Sequence, residues 1–386
     1  LQRVIGDLNA SAGNDFTKIE ARFKTRLNMT STNVRDVIQR RLLAKKEAEP
    51  EPLAALFERE KDNLQTLYRF GDGTPEFRRW RGRDEFCDLY PFVPYQFDLF
   101  QRAMERLSQH NNFTGRFTSV GERSTLSVFQ EVAKQLRDKH VGAMAAFDQV
   151  YDGIAPMLRP DFQTAIHQSK EHLRDPLAHR ILKALYLLKW FHEFKPTVRN
   201  VAILLIDRVD VDIKAHEQAV AQALSTLESQ SYLQRNGDVY EFLTNLEKDI
   251  EVEIRNTDVD RGQVSALLSD ILFADLLRDP KIHYAANDQD YPYARRLDDA
   301  LMGRDQEVGV NLITQAHEQY GQPQALAARS MGRAELVAVL PEDRRLLEDC
   351  ELHVKTRKYV QQTIRAGLGE EHRAIIDQRG RQNDAR

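Results

Sequence analysis

The chain has 386 residues, of which 41% are hydrophobic and 30% charged, with a formal net charge of −4. This is a globular, surface-charged profile with room for roughly two to four domains, and it gives no electrostatic drive toward nonspecific nucleic-acid binding. Its two cysteines, Cys87 and Cys350, form no Cys-x-x-Cys, which argues against a disulfide scaffold or zinc site and fits a reducing cytoplasm. No apolar run approaches a membrane span, and the residues from Leu1 onward do not form a signal peptide.

Residues 1–48 begin with a polar loop, SAGND, followed by a stretch from Phe16 to Leu27 with the pattern of a short strand. Thr30 to Asn33 is a cluster of capping residues ahead of Val34, Val37, Ile38 and Leu42 at helical spacing. Pro50 and Pro52 end that helix. Residues 49–175 read as a helical block. Leu53 to Tyr68 is an amphipathic helix, and Phe70 to Asp84 is a loop of glycines, proline and charges. Leu89 to Leu136 gives two helices joined by a linker through Gly115 to Val120, and further helices are predicted over 141–154 and 160–172.

Residues 176–255 carry the clearest fold signature. Helices are predicted over 178–194, over 198–208 behind a Thr197 cap, and over 213–229 behind an Asp212 cap. Two alternating segments then flank Asn236-Gly237, the strongest short-range hairpin signal. Three helices and a hairpin make a winged helix. Residues 256–345 change character, with a helix over 264–277 and strands over 281–285, 307–314 and 334–340. Helical stretches near 314–320 and 343–350 alternate with them, which suggests a small α/β domain. Residues 346–386 form a polar helical C-terminal segment. The fold class is therefore mainly α, with a winged helix and a small α/β unit.

Several residues could carry chemistry. Gly121-Glu122-Arg123-Ser124 opens a strongly amphipathic helix, whose N-terminus offers unpaired N–H groups and partial positive charge. Arg123 there is a candidate anion contact; the alternative is an ordinary cap with a solvated arginine. Arg78, Arg79, Arg81 and Arg83 surround Trp80, and Arg78, Arg79, Trp80 and Arg81 make a candidate nucleic-acid contact by stacking. A solvated loop whose tryptophan packs on the domain beneath explains the same pattern and takes precedence. The third helix of the winged helix carries one lysine and two glutamates, which argues for a rigid spacer or protein-contact module over a DNA reader. Asp288, Asp290, Asp298 and Asp299 form an acidic group that reads as solvated loop charge, and no metal site is expected. His167 and His172 lie five apart, off a common helix face. No hydrolase or metalloprotease motif occurs.

Collinear segments resemble one family. YPFVPYQFDLFQ followed by GERS is similar to the P-loop ATPase of bacteriophage-exclusion (BREX) defence systems, the BrxC/PglY type. NDFTKIEARFKTRLNMTSTNVRDVIQRRLLAKK, HRILKALYLLKWFHEFKPTVRNVAILLID with GDVYEFLT, and AVLPED with KTRKY agree in the same order. The resemblance implies an AAA+-like core ending in residues 1–48, a lid in 49–175, and then the winged helix. It also implies ATP and Mg2+ as cofactors of the full-length protein, self-association, other BREX proteins as partners, and DNA as a partner of the full assembly, without a membrane. Arg22, with Arg26 as substitute, is then the candidate arginine finger, and Arg123 the nucleotide-sensing arginine. No Gly-x-x-x-x-Gly-Lys-Ser/Thr and no strand ending in Asp-Glu upstream of Arg22 is present. The expectation is an internal piece that lacks the phosphate- and magnesium-holding segments and has no catalytic residue or cofactor of its own. The alternative is a non-catalytic winged-helix module that binds DNA or protein.

Overall fold

A computed structural model describes residues 35–45, 50–114, 122–363 and 369–384. The chain divides into two compact units, Leu1–Gln230 with Asp238–Phe242, and Ser231–Gly237 with Leu243–Arg386. The strand expected over 16–27 and the cap cluster at 30–33 lie outside the described residues.

The first unit is helical. Residues 35–42 are helical, with a wide π turn over Ile38–Leu42. Helix α1 spans Pro50–Leu67. Its prolines at the first and third positions are placed where the missing N–H costs no intrahelical bond; the preceding helical stretch already ends at Leu42, so they begin this helix and do not end the previous one. The loop over 70–82 leads into α2, Arg83–Leu89, and α3, Pro94–Gln109. Phe97, Phe100, Met104 and Leu107 recur on one buried stripe of α3, the period of a core-facing helix. Gln96 secures its start by accepting from the Val93 N–H at 3.0 Å and donating to the Ala145 carbonyl at 2.6 Å. Helix α4, Glu122–Gln135, stacks Phe129 on Phe97 with ring centroids 4.6 Å apart.

The helix expected over 141–154 is shorter than its composition suggests. Only α5, Gln149–Ile154, is helical. Residues 142–147 are not helical, because N–H groups among them bond outside the segment: Met144 to the Asp207 carbonyl and Phe147 to that of Leu204, both at 2.8 Å, and Ala145 to that of Pro91 at 3.0 Å. Gly142 supplies the left-handed φ of 109° that turns the chain into this path. Helix α6 covers Pro160–His172.

Helix α7 spans Pro176–Leu188, and the Asp175 carboxylate accepts from the Leu177 N–H; the helix ends before Phe194. Helix α8 spans Val198–Leu204 with Thr197 as its cap. It stops short of Arg208, where the Leu204 and Asp207 carbonyls accept from Phe147 and Met144 instead. Helix α9 spans Ile213–Ser229, and Asp212 accepts from the Lys214 and Ala215 N–H groups. Strands β1, Leu233–Asn236, and β2, Val239–Phe242, follow in the chain on either side of Gly237, whose φ is 60°.

The second unit contains helices α10, Asn245–Arg255, and α11, Arg261–Asp270, the latter continued by a π turn over Ile271–Leu276. Strands β3 (Lys281–Tyr284), β4 (Gln289–Leu297), β5 (Ala300–Leu301), β6 (Val308–Ile313) and β7 (Glu335–Val339) build a mixed sheet. The order is β3-β4-β6-β7, with β5 on β4. Pairing is antiparallel for β3–β4 and parallel for β4–β6 and β6–β7. The crossover to β7 is α12, Pro323–Ser330, while the helix expected near 314–320 is a series of turns. Helices α13, Arg344–Thr363, and α14, Glu370–Asp384, complete the unit. Phe273, Tyr293, Leu297 and Leu312 form the core under the sheet, and Ile250, Ile254 and Ile376 pack α10 with α14.

The acidic loop is largely a strand. Asp290 lies in β4, and Asp298 and Asp299 (φ 49° and 69°) are the two central residues of the β4–β5 hairpin turn. Aspartate tolerates that left-handed backbone. Among the described residues no helix is long and apolar enough to cross a membrane.

Candidate functional site

Arg22 and Arg26 lie outside the described residues. Arg123 occupies the first turn of α4, one position after its start, where the helix dipole is positive. Ser124 is the third helical residue, inside the turn.

The arginine-rich loop borders a cleft of about 610 Å³ lined by Phe57, Lys61 and the residues from Glu76 to Gly82. Two of its guanidinium groups are engaged. Arg78 Nη2 donates to Glu85 Oε1 at 3.0 Å, and Arg79 Nη1 to the Gln65 carbonyl at 2.9 Å. Glu85 also accepts from Arg35 and, at 2.7 Å, from the Arg81 N–H. Burial acts to raise the Glu85 carboxyl, but these donors outweigh it and hold the group below its ordinary value. Trp80 meets Tyr68 and Phe86 edge-on, at centroid distances of 5.4 and 5.3 Å. Its indole Nε1 is buried with no hydrogen-bond partner among the described residues. The ring is thus packed into the domain it caps.

A second cleft of about 770 Å³ has Arg180 in its wall. Arg180 grips buried Asp148 through Nε and Nη2, both at 3.1 Å. It also donates to the Leu205 carbonyl at 2.8 Å and to Asp207 at 2.9 Å. Burial disfavours the charged guanidinium, yet the two carboxylates more than compensate and hold it firmly protonated. With these donors committed, Arg180 ties α7 to the segment before α5 and to the chain leaving α8. Sequence reading passed over it, although an arginine within the apolar run of α7 was a visible signal.

In the second unit a polar cluster sits at the carboxyl ends of parallel β4 and β6, the edge where open α/β sheets bind ligands. Asp298 accepts from the Thr314 N–H and hydroxyl, both at 2.7 Å. Asp299 accepts from Asn311 Nδ2 at 2.8 Å, His317 Nε2 at 2.9 Å and Arg329 Nη2 at 2.6 Å. His317 Nδ1 accepts from the Gln319 N–H at 3.0 Å, so its proton is on Nε2. Burial tends to raise Asp299, but His317, Asn311 and Arg329 together hold it below its ordinary value. The cluster is internally satisfied and pins the β4–β5 turn to the end of β6. No spacing in the sequence announces it. Among the described residues no group of three or more His, Cys, Asp or Glu side chains could hold a metal ion.

Residues 257–386 match a family model described as the BREX ATP-binding protein BrxC 4th domain with six-stranded beta sheet. The sheet here has five strands, but β4 pairs with β3 through its first half and with β5 and β6 through its second; counted separately, these halves make six. No solved structure matches the chain.

Proposed function

We propose, for a chain that belongs through residues 257–386 to the BrxC-type proteins of BREX phage defence, that it forms the part of a P-loop ATPase following the phosphate-holding core. The family match carries this reading. In it, the helical block over 49–175 acts as an AAA+-like lid. The three helices α7 to α9 with β1 and β2 act as a winged-helix spacer, and the second unit contributes partner contacts. ATP and Mg2+ are held by segments of the parent protein beyond this chain.

The lid presents Arg123 to the γ-phosphate from the positive end of α4. Arg22, or Arg26, reaches a neighbouring subunit's nucleotide. Guanidinium donors there neutralise charge that spreads over the phosphoryl oxygens in the transition state. Self-association is required for that transfer, and other BREX proteins dock on the assembly.

The test is Arg123→Ala in the parent protein. ATP turnover is expected to fall by about 10²-fold or more, with the circular dichroism and melting temperature unchanged. Full turnover in a folded variant overturns the sensor assignment.

A further inference from the structure

We propose that β7 is a pairing edge through which two copies of this chain join antiparallel, strand to strand. The inference rests on the self-association proposed above and is independent of the arginine roles.

Strand β7 ends the sheet order, so no described strand covers its outer side. Its register shows which backbone groups face that side. The Gly309 N–H bonds the Ala334 carbonyl at 2.8 Å, and the Leu340 N–H bonds the Ile313 carbonyl at 2.9 Å. Backbone direction alternates along a strand. Ala334, Leu336, Ala338 and Leu340 therefore turn toward β6, while Glu335, Val337 and Val339 direct their N–H and C=O groups outward.

The two ends of the sheet differ. Strand β3 is exposed on all four residues and carries Lys281 and His283, the charged character that discourages edge pairing. Strand β7 reads Glu-Leu-Val-Ala-Val, with no lysine, proline or bulge. Near it, Met331 is 80% exposed, Leu336 60% and Val339 49%.

The charge order selects a second copy and its direction. With a two-fold axis through Val337, Val337 exchanges both hydrogen bonds with the partner's Val337, and Glu335 lies opposite the partner's Val339. Leu336 meets the partner's Ala338, and Arg333 lies diagonal to the partner's Asp343. In-register parallel pairing instead sets Arg333 beside the partner's Arg333 and Glu335 beside the partner's Glu335, like against like. One short strand buries little area, so the pairing is weak in isolation.

Sedimentation equilibrium of the 386-residue chain over the micromolar range tests this. A concentration-dependent dimer is expected. Val337→Pro removes an outward N–H without removing a bond to β6, and should weaken dimerisation by about tenfold or more. Leu336→Lys, a charge on an exposed position, should do the same and keeps the test decisive if the proline variant misfolds. A dimer unaffected by Leu336→Lys and by folded Val337→Pro overturns the β7 assignment and leaves self-association standing. A chain that stays monomeric throughout overturns both.

Discussion

His179 lies on α7 with Nδ1 3.1 Å from Ser169 Oγ, whose own hydroxyl donates to the Ile166 carbonyl at 2.6 Å. Ser169 is therefore the acceptor, and the neutral ring carries its proton on Nδ1. Burial, reinforced by the nearby Lys183 and Lys170 charges, lowers the His179 pKa from 6.5 to about 4. Between these values the unfolded chain binds a proton that the folded chain refuses, so stability rises with pH across the window. The contribution is fully present above 6.5 and is lost as the pH falls toward 4. Because the ring is only half-buried, it amounts to about 1–2 kcal/mol. His110 and His216 are held down by burial in the same direction, so the comparison must be with a variant. Urea unfolding at pH 7 and pH 5 should show a smaller pH loss for His179→Asn, whose amide reproduces the Nδ1 donor without titrating. An equal loss in both proteins means that the ring is not protected. Glu85 and Asp299, both held low, lose their contribution only as the pH falls through and below the ordinary carboxylate range, and so leave the comparison of pH 7 with pH 5 clear.

Helix α5 lies so close to α4 that a Cβ at Gly153 would sit 2.9 Å from Val128 Cγ1 and 3.1 Å from its Cα. In an open helix, alanine at this position would gain about 1 kcal/mol over glycine. Here the neighbour is a fully buried valine and part of the contact is backbone, so overpacking of about 1–3 kcal/mol dominates. Gly153→Ala is expected to lower stability by about 1–2 kcal/mol, read as a shift of the urea midpoint at constant slope. A gain would mean that α5 moves freely against α4. This closeness was invisible in the sequence, which gave 141–154 as one helix. Local signals identified elements wherever the backbone satisfied itself. Asp212 and Thr197 marked their helices, Asn236-Gly237 marked the hairpin, and the apolar run over 308–313 marked β6. They failed where partners lie far along the chain. Residues 142–147 are not helical because Pro91, Leu204 and Asp207 accept the Ala145, Phe147 and Met144 N–H groups. Strand β4 was hidden because its first half is exposed on both faces and contains Pro292, so no alternation appears. The Asp299–His317–Arg329 cluster and the Arg180 clamp are tertiary facts with no fixed spacing. Of the site, the sequence provided the position of Arg123 on a helix start and the packing of Trp80, while Arg22 and Arg26 lie outside the described residues.

Across the whole molecule, 55 lysines and arginines face 59 aspartates and glutamates, so any duplex binding must come from a local cationic surface. Among the described residues, the loop and the hairpin are the two candidates the sequence raises, and most of their arginines are paired. In the loop, Arg78 is paired with Glu85, and Arg79 with the Gln65 carbonyl and, at 3.9 Å, with Glu76. In the hairpin, Arg235 is 8% exposed and its Nη2 donates to both carboxylate oxygens of Asp349, at 3.1 and 3.0 Å. Helix α9 adds Lys214 against Glu217 and Glu228, and Glu217 already holds Arg199 at 3.1 Å. Phosphate contacts supply nearly all nonspecific affinity, and each arginine already paired must lose its carboxylate before it can displace a counterion. The chain is therefore expected to bind random duplex DNA more weakly than about 10⁻⁴ M at physiological salt. Fluorescence anisotropy with a labelled duplex at rising salt provides the measurement, with Arg79→Ala as the control that should change nothing. Micromolar binding that collapses with salt and with Arg79→Ala would instead establish the loop as a nucleic-acid surface, and would move the protein toward a DNA-binding module rather than a nucleotide-responsive scaffold.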